Sequence, residues 1–360
     1  MIRAELQSSF AIRAPDDFHL HLRRGAMLRR VIEYSCRYFR RALVMPNTEP
    51  PIVTADDVNS YEREILSASL PFAADFRPLM TVQLTERTLP RVIRSLSRKS
   101  VVAGKIYPRS QTTNSDNGVV DYTSLDAVFA EMEELGLVLC LHGESPDPGV
   151  FCLDREAAFL STLDRIARTW PGLRIVLEHI TSAAAVRAIQ ESSDNVRATV
   201  TPHHLVLTLD DVIGDKLRPH LFCKPIAKTS VDRDAIVAAV LSGDPKFFLG
   251  TDSAPHTRAA KECDACSAGI FNAPVALSFL AEFFESHGCM DRLEAFVSQY
   301  GARFYGLPLN EGEMTFIREP WTVPNQIGQL VPFMAGRTLQ WRPPARSCGT
   351  LRACPTSQGE

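Results

Sequence analysis

The chain has 360 residues, 45% of them hydrophobic and 22% charged, with 39 basic and 42 acidic side chains and a net charge of −3. That composition is globular, and it excludes both a disordered chain and a global basic field for nucleic acid. No apolar stretch approaches the roughly 18 residues of a membrane span and the N-terminus shows no signal-peptide core, so a soluble cytoplasmic protein is expected, with no membrane or nucleic-acid partner.

In chain order, short apolar runs alternate with helical periodicity. The first strand, expected over 17–22, carries His19 and His21. Residues two apart in a strand share a face, so the two imidazoles converge while Phe18, Leu20 and Leu22 are expected on the opposite side. Arg23 stands just beyond, before a helix over 25–37. A strand over 41–45 leads to Asn47 in Met-Pro-Asn-Thr, then to a helix over 55–68. Strands over 76–82 and 101–106 flank a helix over 85–98, and Lys105 lies in the second of them. A polar connection, 108–120, precedes a helix over 122–135. Strands over 137–142 and 173–179 end in His142 and His179, and helices over 154–169 and 182–192 follow them. A strand over 196–201 runs into His203 and His204, and a helix over 231–242 comes next. The last strand, 246–251, ends at Asp252 in Gly-Thr-Asp-Ser-Ala-Pro-His, before a helical pair near 273–299.

Eight strands, each followed by helical sequence, predict a (β/α)8 TIM barrel spanning 1–342 as one catalytic domain. An open doubly wound sheet would carry a Gly-rich phosphate turn after its first strand, and here that turn reads Leu22-Arg23-Arg24. In such barrels the active site lies at the C-terminal strand ends, where these polar residues gather. A lone buried histidine is usually a hydrogen-bonded core residue; several on separate strand ends, with Lys105 and Asp252, suit a metal centre better.

Four imidazoles and an aspartate are too many ligands for one catalytic zinc that keeps an open position. They suit two metal ions that share a further oxygen ligand. Lys105 is the candidate: in an apolar strand its neutral amine is favoured, and a neutral amine can add CO2 to give a carbamate spanning both ions. The alternatives are a lysine paired with Asp252 or a Schiff-base lysine, and the second would need no metal cluster. Such a centre activates water and polarises a carbonyl, with Asp252 as general base and then general acid, which implies amide or imide hydrolysis or its reversal.

His-Leu-His-Leu-Arg, Met-Pro-Asn-Thr, Lys-Ile-Tyr-Pro with the following Thr-Thr-Asn, and Gly-Thr-Asp-Ser-Ala-Pro-His resemble the dihydroorotases, the stand-alone bacterial type within the amidohydrolase superfamily, from about residue 10 to 341. The resemblance implies two Zn2+ per subunit. His19, His21 and Asp252 would hold one ion, His142 and His179 the other, with carbamylated Lys105 (N6-carboxylysine) bridging. It implies interconversion of N-carbamoyl-L-aspartate and L-dihydroorotate in pyrimidine synthesis, and a homodimer. Substrate contacts would come from His21, Arg23, Asn47, His142 and His256, and through the backbone at Lys224 and Ala268. Arg23 suits a substrate carboxylate because its planar fork offers two parallel donors. Thr112 and Thr113 of the polar connection would reach substrate when that loop closes as a lid. A hydantoinase or allantoinase on the same scaffold, and a catalytically silent homologue, are the alternatives.

Two positions depart from the family pattern. Arg24 stands where an aspartate is common, altering charge at the mouth, and Lys224 where a leucine can stand. Nine cysteines, an odd number without a secretory signal, read as reduced thiols. Cys263-x-x-Cys266 is half a zinc knuckle with no second pair nearby. Residues 343–360, rich in Pro, Ser and Gly, are expected to form a disordered extension.

Overall fold

The computed structural model describes residues 8–96 and 99–343. Strand β1, Ser9–Arg13, precedes eight parallel strands paired in sequence order: β2 (Asp16–Leu20), β3 (Arg41–Val44), β4 (Arg77–Leu84), β5 (Val101–Ile106), β6 (Val138–His142), β7 (Ile175–Glu178), β8 (Val196–Val200) and β9 (Phe247–Leu249). A parallel bridge from Leu20 to Ser253, just past β9, brings the first and last strands together. The result is the predicted (β/α)8 barrel.

Its helices follow the periodicity closely: Gly25–Cys36, Ala55–Ser69, Arg155–Thr169, Ala183–Glu191 and Ser230–Leu241. Thr54 and Thr229 start two of them with reciprocal side-chain and backbone bonds to Asp57 and Asp232. The expected helix over 85–98 shrinks to Pro90–Ser95. Proline has no N–H to donate and sits at the first helical turn, while Thr85 and Thr88 close a turn ahead of it. The pair near 273–299 resolves into Ala276–Ser286 and a broken run of short helices ending at Phe304.

Leu20 and Leu22 pack outward against the helices, but Phe18 does not join them. It lies in the inner cluster with Leu43, Leu79, Val138 and Phe248, stacked on Tyr305 at a centroid distance of 4.8 Å. The pairing of β2 with β3 shifts register between Asp17 and Leu20, three steps on one strand against two on the other. That bulge inserts a residue, so Phe18 and His19 both turn inward. Phe18 thereby plugs the barrel below the histidine.

A second sheet, absent from the expected elements, joins the two ends of the chain. β1 pairs antiparallel with β10 (Glu313–Thr322), which pairs with β11 (Thr338–Arg342). Phe10 stacks on Phe316 and meets Trp341 edge-on, and Trp341 donates its Nε1–H to Glu285 at 3.0 Å. Pro320 falls where β10 shifts register against β11, the sort of place where a strand tolerates proline. The extension expected over 343–360 lies, beyond Pro343, outside the described residues. Among the described residues, no helix is long and apolar enough to cross a membrane.

Candidate metal centre

His19 and His21 converge as expected, with ring centroids 5.4 Å apart. The His19 N–H donates to Asp17 at 3.1 Å, and Asp17 also accepts from the Thr251 backbone N–H at 2.8 Å and hydroxyl at 2.6 Å. Burial raises the Asp17 carboxyl to about 7. Those bonds lock β2 to the segment after β9 and bring Asp252 alongside: its Oδ1 lies 3.1 Å from His21 Nε2 and 3.5 Å from His19 Nε2. Burial pushes the Asp252 carboxyl upward, but the His21 hydrogen bond and the neighbouring imidazoles outweigh it, and the net shift is below the usual carboxylate range. Gly250 permits the approach, since a Cβ there would stand 2.8 Å from His19 Cβ and 2.9 Å from Thr199 Cβ.

His142 and His179 complete a row of four rings, with His19 to His179 at 4.9 Å and His179 to His142 at 4.7 Å. Burial lowers His21 to about 4, His142 below its ordinary value and His179 well below it. The three are therefore neutral at pH 7, with lone pairs available for a metal. Lys105 is fully buried, its Nζ has no hydrogen-bond partner among the described residues, and burial lowers its pKa. An orphaned amine beside neutral imidazoles and a carboxylate is a donor set that fits divalent cations and a carbamate between them.

Several anchors were not anticipated from the sequence. Glu178 meets His19 Nδ1 at 2.8 Å, Glu144 meets His142 Nε2 at 2.7 Å and Asn47 meets His21 Nδ1 at 2.8 Å. Each occupies one ring nitrogen and leaves the other for the cavity, the usual support for a metal-ligating histidine. The signal was present in Leu-Glu-His and His-Gly-Glu, where each glutamate stands within two residues of a candidate ligand. Glu178 and His179 are consecutive yet both reach the centre, which strand alternation forbids. His179 takes a left-handed backbone, φ 42°, that turns its ring back inward, and Asp252 (φ 45°) and Arg23 (φ 59°) share that conformation. Non-glycine residues seldom adopt it, and it concentrates at functional sites.

The cavity above the row is lined by His19, His21, Arg23, Asn47, Tyr107, Thr112, Thr113, His142, His179, Lys224, Asp252, Ala254, Ala268 and Gly269. All the expected site residues line it except Lys105, beneath, and His256. The latter reaches the site through Arg23, whose Nη2–H it accepts at Nε2 across 2.9 Å. Burial and then the Arg23 charge lower His256 to about 3. The loop 108–120 is folded over the cavity: Asn47 Nδ2 donates to the Thr113 carbonyl and Asn114 Nδ2 to the Asn47 carbonyl, each at 3.1 Å. Arg24 turns away and pairs with Glu64 at 3.0 Å, so its charge is matched at the mouth. His203 and His204 form a separate buried group with Cys223, in which His204 Nε2 faces the Pro225 carbonyl at 3.2 Å and His203 Nδ1 accepts from Asn272 at 2.9 Å.

The amidohydrolase family model matches residues 17–201. A dihydroorotase of Sphingopyxis alaskensis is 46% identical over 333 residues, covering 92% of this chain and 98% of that protein. A dihydroorotase of Neisseria meningitidis is 45% identical, covering 91% and 96%. The crystal structure of Saccharomyces cerevisiae dihydroorotase in complex with 5-fluoroorotic acid superposes with a TM-score of 0.87 at 32% identity, covering 95% of this chain and 100% of that one. Dihydroorotase from Campylobacter jejuni gives 0.85 at 37% identity, covering 94% and 98%. An Arthrobacter aurescens L-hydantoinase shares the fold at a TM-score of 0.79 and 16% identity, covering 95% of this chain and 85% of that one.

Proposed function

The chain belongs to the dihydroorotase family of amidohydrolases, and on that premise we propose that it interconverts N-carbamoyl-L-aspartate and L-dihydroorotate, as a homodimeric enzyme of pyrimidine synthesis whose catalytic unit spans residues 1–342. The observation that carries this reading is the row of four buried imidazoles flanked by Asp252 and the unpartnered Lys105. We assign His19, His21 and Asp252 to one Zn2+, His142 and His179 to a second, and carbamylated Lys105 to both. When bound, the metal pair supplies an activated water and a positive field at the reacting carbonyl oxygen.

The chain's own groups do the rest. Asp252 takes a proton from the attacking water and returns it to the departing nitrogen during ring opening; in ring closure it takes the proton from the carbamoyl nitrogen and passes it to the departing carboxylate oxygen, which leaves as water with one further proton from solution. Arg23 holds the substrate carboxylate with its planar fork, and Asn47 adds an amide donor. His256, neutral and bonded to Arg23, fixes the guanidinium's direction. The Lys224 and Ala268 backbones close the remaining wall. A free carboxylate is what Arg23 requires and what simple hydantoins lack, so dihydroorotate should outcompete hydantoin in a direct assay. Elemental analysis with a dihydroorotate assay on the purified protein tests the whole reading: about two zinc per chain with turnover supports it, and less than about one with no turnover ends it.

Two further outcomes follow from this reading. Thr112→Ala with Thr113→Ala will leave metal content at the parent level and lower turnover by about a hundredfold, because loosely held substrate loses productive geometry. Unchanged kinetics would remove the loop from the mechanism. Ring closure consumes one proton, since a free carboxylate becomes an imide carbonyl. The equilibrium ratio of open to closed forms will therefore rise about tenfold per pH unit near neutrality. A pH-independent ratio contradicts the substrate pair.

A further inference from the structure

The cavity wall holds one polar group that none of the assignments above uses. Tyr107 follows Lys105 by two residues, just past the end of β5, and is 2% exposed. Its ring lies beside the centre: Lys105 Nζ is 5.1 Å from the ring centroid and the His142 ring 6.5 Å away. Its hydroxyl is buried and has no hydrogen-bond partner among the described residues. Two other buried phenols are satisfied, Tyr61 by donating to the Arg23 carbonyl at 2.6 Å and Tyr305 by Cys140 Sγ at 3.2 Å. Tyr122 also has an unpartnered hydroxyl, but it does not line this cavity.

We propose that Tyr107 is a substrate-binding residue whose phenol O–H donates a hydrogen bond to a carbonyl or carboxylate oxygen of the bound substrate. The proposal rests on the dihydroorotase reading and deepens it. A hydroxyl buried without a partner costs free energy that phenylalanine would not incur, so packing alone does not account for it. The substrate proposed above is rich in oxygen acceptors, two carboxylates and a carbamoyl group when open. A neutral donor can bind these without adding charge beside the metal ligands. Arg23, Thr112 and Tyr107 line the same cavity, the volume that substrate would fill.

The test is Tyr107→Phe, which removes one oxygen, with Tyr122→Phe as a control for losing an unpartnered buried phenol elsewhere. For Tyr107→Phe, kcat/KM in both directions should fall about 10- to 100-fold, the range for a hydrogen bond to a charged or polarised group. KM should carry the fall, with metal content and Tm at the parent level. Tyr122→Phe should match the parent. The proposal is overturned if Tyr107→Phe keeps its kcat/KM within about twofold or if the two variants lose equally. It also fails if the loss comes with lost metal, since the phenol would then support the modified lysine. Calorimetric titration of N-carbamoyl-L-aspartate into parent and variant separates the two levels of failure. A parent without turnover defeats the dihydroorotase reading, whereas a turning-over parent and a variant of equal affinity defeat only the assignment of Tyr107.

Discussion

Asp252→Asn will hydrolyse dihydroorotate about 10³- to 10⁴-fold more slowly than the parent while still folding and retaining metal, the upper range for loss of a positioned acid–base group. Asparagine keeps the shape and one ligand oxygen, and it tolerates the left-handed backbone that Asp252 adopts. What it cannot do is accept a proton. In the parent the carboxylate lies against His21 and His19 and is held below its ordinary range, so it is ionised throughout the neutral region. The measurement is kcat by loss of dihydroorotate absorbance, with zinc determined on the same sample. A variant within tenfold of the parent would transfer the proton step to another group.

Lys105→Gln should do its damage earlier, at metal assembly. The ammonium form of a fully buried lysine is disfavoured by desolvation, which leaves a nucleophilic amine for CO2. Glutamine matches the length of the chain approximately but cannot become a bridging carboxylate. Metal content should drop from about two to below one per chain, and activity should drop with it by about 10²-fold or more, exceeding the loss typical of residues that only orient a ligand. Carbon-13 NMR of parent protein prepared in labelled bicarbonate gives a readout independent of turnover: a carbamate resonance present in the parent and absent from the variant. Full metal occupancy in the variant, or no such resonance in the parent, would mean that the lysine is an ordinary buried base.

The residues that gather at the cavity were readable from the sequence because this fold places polar groups at strand ends. His19, His142, His179 and Asp252 terminate runs whose apolar pattern is easily read, and eight such runs set the topology. The carboxylates behind the histidines were harder to read. Glu178 and Glu144 are nearly inaccessible, yet in sequence a glutamate beside a histidine is equally compatible with an exposed loop. Their role depends on which ring nitrogen they meet, and spacing does not encode that. Strict alternation also misplaced Phe18, because a bulge is a relation between two strands and is invisible in one. The sheet of β1, β10 and β11 was missed for a related reason: β1 and its partner β10 lie some three hundred residues apart, and the Met314–Phe316 alternation is too short to stand out alone.

Arg23, His179 and Asp252 hold left-handed backbone conformations that a Cβ disfavours, by of order 1 kcal/mol or more each. Ser110 and Asn114, in the loop over the cavity, do the same. The working geometry is therefore a tensioned arrangement held by the surrounding barrel, and it is not where the local chain would relax if released. At these positions selection for thermal robustness and selection for turnover pull in opposite directions, so hardening this enzyme by relieving its least comfortable residues would begin by dismantling what it does.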